Sequence, residues 1–233
     1  MTVRREPPSP SFALGALELV PDVSGALYAP DERAVIVADL HFEKGSALAR
    51  RGSLLPPYDS RETLSRLGVM LARLKPKTVI ALGDTWHDGG GHARMDAVDA
   101  EAFAALRLGR EWVLITGNHD PEPPRDLGAQ VHHELMLKGV ILRHQPSASP
   151  LGPEIAGHLH PAAKVSGRGR SVRRKCFMTS ATRCILPAFG AYAGGLNVLD
   201  KAFRPLFAPS DFTAHVMGAD RIYAISPALL LPD

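Results

Sequence analysis

Seven residues of types that commonly bind divalent metal ions occur in five short clusters along this chain. They are Asp39, His41, Asp84, Asn118, His144, His158 and His160. Each cluster follows directly after an apolar, β-type run, where a strand would end and a loop would begin. Together they offer enough oxygen and imidazole ligands for two divalent ions if one carboxylate bridges them. Two ions about 3.5–4 Å apart are a recurring arrangement for cleaving phosphate esters.

The elements expected to position these clusters alternate between strands and helices. The predicted strands that precede the clusters are residues 34–38, Thr78–Leu82, Trp112–Thr116, Val140–His144 and the short Ile155-Ala156. Gln130–Leu137 is predicted as a strand paired with Val140–His144. A helix is predicted from a capping box at Asp59 to a stop at Pro76, and another over residues 95–108. This alternation indicates an α/β fold with its site at the carboxyl ends of the strands.

Length and composition suit one domain with a sizeable core. The chain has 233 residues, 45% of them apolar, so we expect a loose lead-in over residues 1–11 and a single domain over 12–233. The two cysteines, Cys176 and Cys184, form no disulfide framework and favour a reducing cytosol. No apolar run is long enough to span a bilayer. We therefore expect a cytoplasmic protein without a membrane partner.

The order and spelling of the five clusters resemble those of the calcineurin-like metallophosphoesterase superfamily. The family pattern is D-x-H, G-D-x-x-D, G-N-H-[DE], a lone His and G-H-x-H. The chain reads ADLHFEKG (38–45), GDTWHD (83–88), GNHD (117–120), RHQP (143–146) and GHLHP (157–161). The resemblance covers roughly residues 34–161. It implies two mixed β-sheets packed as a sandwich flanked by helices.

A narrower resemblance points to the bacterial ligase-associated DNA damage response endonuclease branch. It rests on the string ILPAFG (185–190) followed by Gly194-Gly195, and on DLHFEKG and GHLHP. It implies a DNA endonuclease or end-processing nuclease in bacterial repair. DNA, a DNA ligase and a helicase-like protein are the partners that this resemblance implies.

The superfamily resemblance also assigns roles to the clustered residues. It implies that Asp39, His41 and His160 hold the first ion, that Asn118, His144 and His158 hold the second, and that Asp84 bridges them. It makes His119 the general acid or the group that stabilises a phosphate oxygen. Asp120 is expected to accept the ring N–H of His119 and so fix its tautomer. The oxygen and imidazole ligands favour Mn²⁺, with Fe²⁺ and Zn²⁺ as alternatives.

One position departs from the family pattern. Where G-D-x-x-D places its second Asp, this chain has His87, and Asp88 follows it. That residue usually orients a neighbouring histidine ligand. We expect His87 or Asp88 to take over that role.

A basic segment follows the last ligand cluster. The chain has no Asp or Glu between Glu154 and Asp200, and this interval contains Arg168, Arg170, Arg173, Arg174 and Lys175. The net charge of +3 is too small to indicate nucleic-acid binding by itself. The five cations fit either an arm that contacts nucleic-acid phosphates or an ordinary solvated hairpin.

Three functions remain open from the sequence. The leading hypothesis is a metal-dependent phosphodiesterase that acts on DNA. The alternative enzyme is a small-molecule or nucleotide phosphodiesterase or phosphatase. A non-catalytic scaffold of the same fold is a third hypothesis, but such a scaffold could dispense with the seven ligands and His119.

Overall fold

The structure is a computed structural model that describes residues 10–53, 55–167 and 169–233. Its strands form two mixed sheets, in accordance with the predicted fold class. Most of the predicted lead-in, residues 1–9, lies outside the described residues, as does Arg168 of the basic segment.

The first sheet has seven strands that follow one another in chain order. They are β1 (Phe12–Leu14), β2 (Leu17–Pro21), β3 (Leu27–Ala29), β4 (Ala34–Val37), β5 (Thr78–Leu82), β6 (Glu111–Ile115) and β7 (Gln130–His132). Strands β1 to β4 pair antiparallel, and β4 to β7 pair parallel. The carboxyl ends of β4, β5 and β6 therefore meet at one edge of the sheet.

Helices connect the parallel strands and cover the outer face of the first sheet. They are α1 (Lys44–Ala49), α2 (Asp59–Leu74), α3 (Gly91–Arg94) and α4 (Ala97–Arg107). The predicted capping box at Asp59 is wrong. Tyr58 occupies the N-cap position of α2, and the Asp59 carboxylate instead accepts the backbone N–H of Gly45 at 3.1 Å. Asp59 thereby joins α2 to α1, the helix that follows the first ligand cluster.

The second sheet is built from the later part of the chain. Its strands are β8 (Glu134–Leu137), β9 (Val140–Arg143), β10 (Glu154–Ala156), β11 (Pro161–Gly167), β12 (Arg170–Thr179), β13 (Arg183–Ile185), β14 (Leu196–Asn197), β15 (Thr213–Met217), β16 (Ile222–Ile225) and β17 (Leu230–Leu231). The parallel trio β9, β10 and β13 brings the cluster after β9 beside the one after β10. The long strands β11 and β12 form a hairpin. Three short 3₁₀ helices complete the described elements: Arg125–Leu127, Lys201–Phe203 and Pro227–Leu229.

Alternating side chains of each strand divide the core into layers. Ile36 and Ile80 of the first sheet pack with Leu142 and Phe177 of the second sheet, and these residues form the centre of the sandwich. Val35, Val37 and Val79 point to the opposite face and pack against Leu67 and other residues of the helices. Because successive strand residues face opposite sides, strands that are buried on both faces read as continuous apolar runs.

The last fifth of the chain covers the outer face of the second sheet. Phe203, Phe207 and Phe212 pack against Cys176 and Met178 of β12. Both cysteines of the chain are free and buried. Their side chains therefore belong to the packing of this sheet.

The predicted strand Gln130–Leu137 is wrong as a single element. It is divided at His133: β7 pairs with β6 of the first sheet, whereas β8 pairs with β9 of the second. Because the two segments hydrogen-bond in different sheets, the chain bends where it passes between them. This bend places His133 near the carboxyl end of β6.

Among the described residues, no helix is both long enough and apolar enough to cross a membrane.

Candidate metal centre

All five ligand clusters lie at the same edge of the sandwich. Asp39 and His41 follow β4, Asp84 follows β5, and Asn118 follows β6. The second sheet contributes His144 after β9, and His158 and His160 after β10. Parallel strands deliver the three clusters of the first sheet to adjacent positions, and β9 and β10 do the same in the second. The structure thus brings together the seven residues predicted as ligands.

The first group consists of Asp39, His41 and His160. One ligand atom from each lies within 4.8 Å of the other two. The Nε2 atoms of His41 and His160 are 3.3 Å apart, and Oδ1 of Asp39 is 3.2 Å from Nε2 of His160. This is the set of residues predicted to hold the first ion.

The second group contains Asp84, His144 and His158, and one ligand atom from each again lies within 4.8 Å of the other two. Nδ1 of His158 lies 3.2 Å from Nε2 of His144, and Oδ1 of Asn118 lies 2.9 Å from that same Nε2. Asn118 therefore joins this group as the sequence predicts.

Asp84 lies between the two groups. Its Oδ2 atom is 3.4 Å from Nε2 of His144 in the second group and 3.9 Å from Nε2 of His41 in the first. Its other oxygen, Oδ1, accepts the backbone N–H of His119 at 2.9 Å. This position is the one that a bridging carboxylate requires.

The chemistry of the donor set fits bound cations. Oδ1 of Asp39 is buried and accepts no hydrogen bond from the part of the chain that the structure describes. An unpartnered buried carboxylate oxygen is costly unless a cation or another donor satisfies it. Burial lowers the pKa of His41 to about 3 and also lowers the pKa of His158. A neutral imidazole keeps a lone pair for a cation, so the close approach of these nitrogens fits residues that would hold a metal ion.

A hydrogen bond to a backbone carbonyl orients one of the ligand histidines, His144. Nδ1 of His144 lies 2.9 Å from the carbonyl oxygen of Leu82, which can only accept a hydrogen bond. The proton of His144 therefore sits on Nδ1, and its Nε2 atom keeps a free lone pair toward Asp84 and Asn118. Such outer contacts commonly fix the ring orientation and tautomer of a metal ligand.

The backbone is left-handed at five of the seven ligand residues. The φ angles are +56° at Asp39, +46° at His41, +49° at Asp84, +70° at His158 and +48° at His160. Non-glycine residues rarely adopt this conformation, which costs on the order of 1–3 kcal/mol per residue and tends to cluster at functional sites. Strong packing around the edge of the sandwich must therefore hold these loops in place.

Two glycines in the motifs allow the ligand loops to approach one another closely. A Cβ atom at Gly157 would lie 2.6 Å from Oδ2 of Asp39, and one at Gly117 would clash with the Asp84 carboxylate. The backbone N–H of His158 next to Gly157 donates to Oδ2 of Asp39 at 2.9 Å. The first glycines of G-N-H-D and G-H-L-H are therefore needed because the two carboxylates leave no room for a side chain at these positions.

His119 lies beside the ligand cluster with one ring nitrogen turned toward it. Its Nε2 atom is 4.0 Å from Oδ2 of Asp84, and 39% of its side chain is exposed. Its Nδ1 atom donates to the carbonyl oxygen of His87 at 2.8 Å. This orientation suits a residue that exchanges a proton with a substrate at Nε2. The predicted role of His119 as a general acid stays a prediction.

The expected contact between Asp120 and the ring of His119 is wrong. Both carboxylate oxygens of the buried Asp120 face backbone N–H groups instead, those of Asp84, Thr85, Trp86 and Gly117, at 2.8–3.2 Å. Burial raises the pKa of Asp120 to about 7, and these hydrogen bonds oppose that shift. Asp120 therefore braces the loop after β5, and the His87 carbonyl orients the His119 ring.

His87, the residue that departs from the family pattern, also contacts a ligand histidine. Its Nδ1 atom lies 3.3 Å from Nδ1 of His41, and its ring stacks on His119 with centroids 4.9 Å apart. Asp88 instead forms a two-pronged ion pair with Arg94 at 2.8 and 2.9 Å. Of the two residues expected to orient the ligand, His87 is therefore the one in position.

The basic segment lies in the β11–β12 hairpin, where its cations are not equivalent. Arg170 and Arg174 are exposed and have no carboxylate partner among the described residues. Nε of Arg173 pairs with Asp233 at 3.1 Å, and its Nη2 atom donates to the Gly195 carbonyl. Arg168, predicted as a fifth contact, lies outside the described residues. Only part of the predicted patch is free to meet a ligand.

Lys175 is misplaced in the predicted nucleic-acid surface. Its Nζ atom donates to the carbonyl oxygens of Ala188 and Gly190 at 2.6 and 3.0 Å. Burial lowers the pKa of Lys175 to about 8, with the positive charge of Arg66 acting in the same direction. The sequence predicted a charged surface from five cations in an interval without Asp or Glu, but Lys175 lies on the face of β12 that points into the protein.

The ILPAFG string (185–190), whose carbonyl groups accept hydrogen bonds from Lys175, has a structural role that the sequence did not indicate. Phe189 and Gly190 donate backbone hydrogen bonds to the carbonyl oxygens of Ala38 and Asp39 at 2.8 and 3.1 Å. The string therefore runs alongside the first ligand cluster and supports its backbone. Its unusual composition was the available signal, but nothing in it indicates the strand that it contacts.

A mixed β sandwich with two adjoining groups of His and Asp ligands defines this protein as a metal-dependent phosphoester hydrolase. The family model of calcineurin-like phosphoesterases matches residues 32–162. The chain belongs to this family, and its members use two divalent metal ions.

Three solved structures show similarity to this chain. The nuclease MPE from Pseudomonas putida is similar over 93% of this chain and 100% of its own, with 28% sequence identity and a TM-score of 0.75. Yfce, a phosphoesterase from E. coli, matches 83% of this chain and 98% of its own, with 14% identity and a TM-score of 0.41. The protein AQ665 of unknown function from Aquifex aeolicus covers 58% of this chain and 81% of its own, at 19% identity and a TM-score of 0.39. No curated protein matches the sequence significantly.

Proposed function

We propose that this protein is a metal-dependent phosphodiesterase that cleaves DNA, as an endonuclease or an end-processing nuclease in DNA repair. The observation that carries the proposal is the whole-length similarity to nuclease MPE combined with a complete seven-ligand centre. The similarity extends beyond the family core at residues 32–162 to the later strands.

The arrangement of the site supports hydrolysis of a diester. Two divalent ions held by Asp39, His41, His160 and by Asn118, His144, His158, with Asp84 between them, would polarise a phosphoryl group and activate water. His119 turns Nε2 toward the centre while the His87 carbonyl accepts its Nδ1 proton, so a second proton carried on Nε2 would be placed to go to the departing oxygen. An alkoxide leaving group of a nucleic-acid strand needs such a proton.

The ligand set also supports a choice of metal. Imidazole, carboxylate and amide oxygen ligands without thiolates favour a borderline-hard cation. We propose Mn²⁺ as the working ion, with Fe²⁺ and Zn²⁺ as alternatives. The DNA ligase and the helicase-like partner that the narrower resemblance implies stay a prediction.

A substrate panel tests the proposal on protein whose metal content has been measured. The panel contains a phosphomonoester, a simple chromogenic diester, a cyclic nucleotide, a mononucleotide, single-stranded DNA and duplex DNA, each with Mn²⁺ and with a chelator. Metal-dependent cleavage of DNA at physiological salt, faster than that of cyclic or mononucleotides, is the expected result. Preference for a nucleotide or monoester, with no cleavage of DNA, would overturn the nuclease proposal in favour of the small-molecule alternative.

A further inference from the structure

We propose that a cavity beside Asn118 and His144 binds the nucleoside on one side of the scissile phosphodiester, and that an adjoining cavity receives the base of the next nucleotide. This inference rests on the proposed function, because it assigns a substrate subsite to the same centre. The first cavity has a volume of about 500 Å³. Its walls include Thr116, Asn118, His133, Arg143, His144 and Gln145.

The position of this cavity relative to the metal centre is the first argument. Two of its wall residues, Asn118 and His144, belong to the second ligand group, and their side chains are 2.9 Å apart. A group that fills the cavity therefore lies directly beside the phosphate-binding position. A phosphomonoester has no second ester group to place there, whereas a diester does.

The cavity continues away from the metal centre. A second cavity of about 390 Å³ shares the walls formed by Thr116, Pro121 and His133, and extends to Arg125 and His132. Each volume lies in the range of about 300–1,000 Å³ that is typical of small-ligand sites. Together they form a groove in two compartments, a shape that fits consecutive units of a chain better than one compact ligand.

The walls of the first cavity are held before any ligand arrives. Nη2 of Arg143 contacts Glu134 at 3.2 Å, and its Nε lies 3.6 Å from Glu154, so only 18% of the Arg143 side chain is exposed. Glu154 is itself fully buried and pairs with Arg183 at 2.6 Å. Oγ1 of Thr116 lies 3.2 Å from Nδ1 of His133. Because these side chains are already fixed, they lose less conformational entropy when a ligand binds.

The charge of the groove favours a base and sugar over a second phosphate. Its cations, Arg125 and Arg143, are matched by Glu122 and Glu134 in the same walls. Contacts with phosphates depend on an excess of Lys and Arg, which this groove does not offer. Its amide, hydroxyl and imidazole groups instead suit hydrogen bonding to the edge of a base.

His133 is one of the three residues that line both compartments. Its side chain is exposed, and it sits at the bend between β7 and β8. Exposed aromatic and histidine rings are common stacking surfaces for unpaired bases. We therefore assign His133 as the stacking surface for the base in the first cavity.

Two chromogenic diesters with the same leaving group separate nucleoside binding from chemistry. Methyl p-nitrophenyl phosphate is compared with the thymidine 5′ and thymidine 3′ p-nitrophenyl phosphates, using the full-length Mn²⁺-loaded protein. We expect kcat/KM to be at least about 10-fold higher for one of the two thymidine esters, the size of effect that base stacking produces. The preferred ester also reports which side of the phosphate enters the cavity.

Variants then locate the source of that advantage. His133→Ala should lower kcat/KM for the preferred thymidine ester about 10-fold and leave the methyl ester unchanged, which also shows that the metal centre is intact. Tyr223→Ala is the matched control, because its half-exposed ring on β16 lines neither cavity. Lengthening a dinucleotide substrate to a trinucleotide should raise kcat/KM further. His132→Ala should reduce only this second increase, because His132 lines the second cavity but not the first.

The outcomes distinguish this inference from the proposed function. Equal kcat/KM for the methyl ester and both thymidine esters, or a full thymidine advantage in His133→Ala, would overturn the nucleoside site even if the protein cleaves DNA. Hydrolysis of the chromogenic esters without cleavage of any DNA would instead overturn the nuclease proposal. In that case a thymidine advantage that His133→Ala abolishes would still support the nucleoside site.

Discussion

The metal centre and the basic hairpin are adjacent in the chain but are built in opposite ways. At the centre, buried side chains are fixed by backbone groups: Asp84 accepts from His119, and His158 donates to Asp39. In the hairpin, Arg170 and Arg174 extend from an exposed strand with no carboxylate partner among the described residues. The sequence motif identifies the residues of the metal centre correctly because each ligand there has one required position.

A count of charges is therefore a weaker guide to the binding residues of this protein than a pattern of spaced ligands is. Side chains alternate across a strand, so Arg170 and Arg174 lie on one face of β12 while Arg173 and Lys175 lie on the other. On that second face, Lys175 holds the Ala188 and Gly190 carbonyls beside the metal centre. One member of the apparent nucleic-acid patch therefore belongs to the support of the metal centre.

The largest expected effect is at the residue shared by both ligand groups. Asp84→Ala should lose at least one metal ion and more than about 100-fold in turnover, since even residues that only orient metal ligands cost about 10–100-fold. Elemental analysis and hydrolysis of a chromogenic diester measure the two effects. Asp211→Ala, which changes an exposed carboxylate away from the centre, is the control. A wild type that holds at most one ion per chain after Mn²⁺ loading would contradict the two-metal centre.

The next effect separates proton transfer from metal binding. His119→Ala should keep both ions but lose about 10²-fold or more in rate on a diester with an alkoxide leaving group. The loss should shrink for a p-nitrophenyl leaving group, because that group departs without protonation. Rates on the two substrates, measured at equal metal content, test this. Equal losses on both would show that His119 does not act as the acid.

The ligand set was predictable from the sequence, whereas the partners of its neighbours were not. Asp39, Asp84 and His144 each follow an apolar run, and runs of this kind bring their ends to one edge of a sheet. The hydrogen bonds of Asp120 depend on a turn after β5 that lies more than thirty residues away in sequence. The bend at His133 depends on how two sheets pack, which no local pattern records.

A smaller effect tests the assignment of Lys175 to the support of the metal centre. Lys175→Met keeps most of the side-chain volume but removes the side-chain donor to two carbonyl groups, of which Gly190 keeps the longer hydrogen bond from the Ala193 N–H at 3.3 Å. We expect the free energy of unfolding to fall by about 1–3 kcal/mol. Mn²⁺ should also bind about 10-fold more weakly, because the backbone beside Asp39 loses its brace. Denaturant titration and metal titration measure these changes.

The exposed Lys201 provides the matched control for this substitution. Lys201→Met should change neither stability nor metal affinity, since Lys201 lies at the surface in a 3₁₀ helix away from the centre. Lys175→Met should also leave the salt dependence of DNA binding unaltered. A decrease of about 0.9 in the slope of log affinity against log salt would return Lys175 to the DNA surface.

The smallest expected effect concerns the outward face of the hairpin. If Arg170 and Arg174 both contact duplex phosphates, changing both to Ser should flatten the slope of log affinity against log salt by about 1.8, or by about 1.4 on single strands. Hydrolysis of methyl p-nitrophenyl phosphate should not change, because neither residue belongs to the ligand groups. Arg173→Ser should alter the slope less, since Asp233 already engages that guanidinium. An unchanged slope in the double variant would identify the hairpin as solvated surface, and DNA would then have to reach the centre along another face.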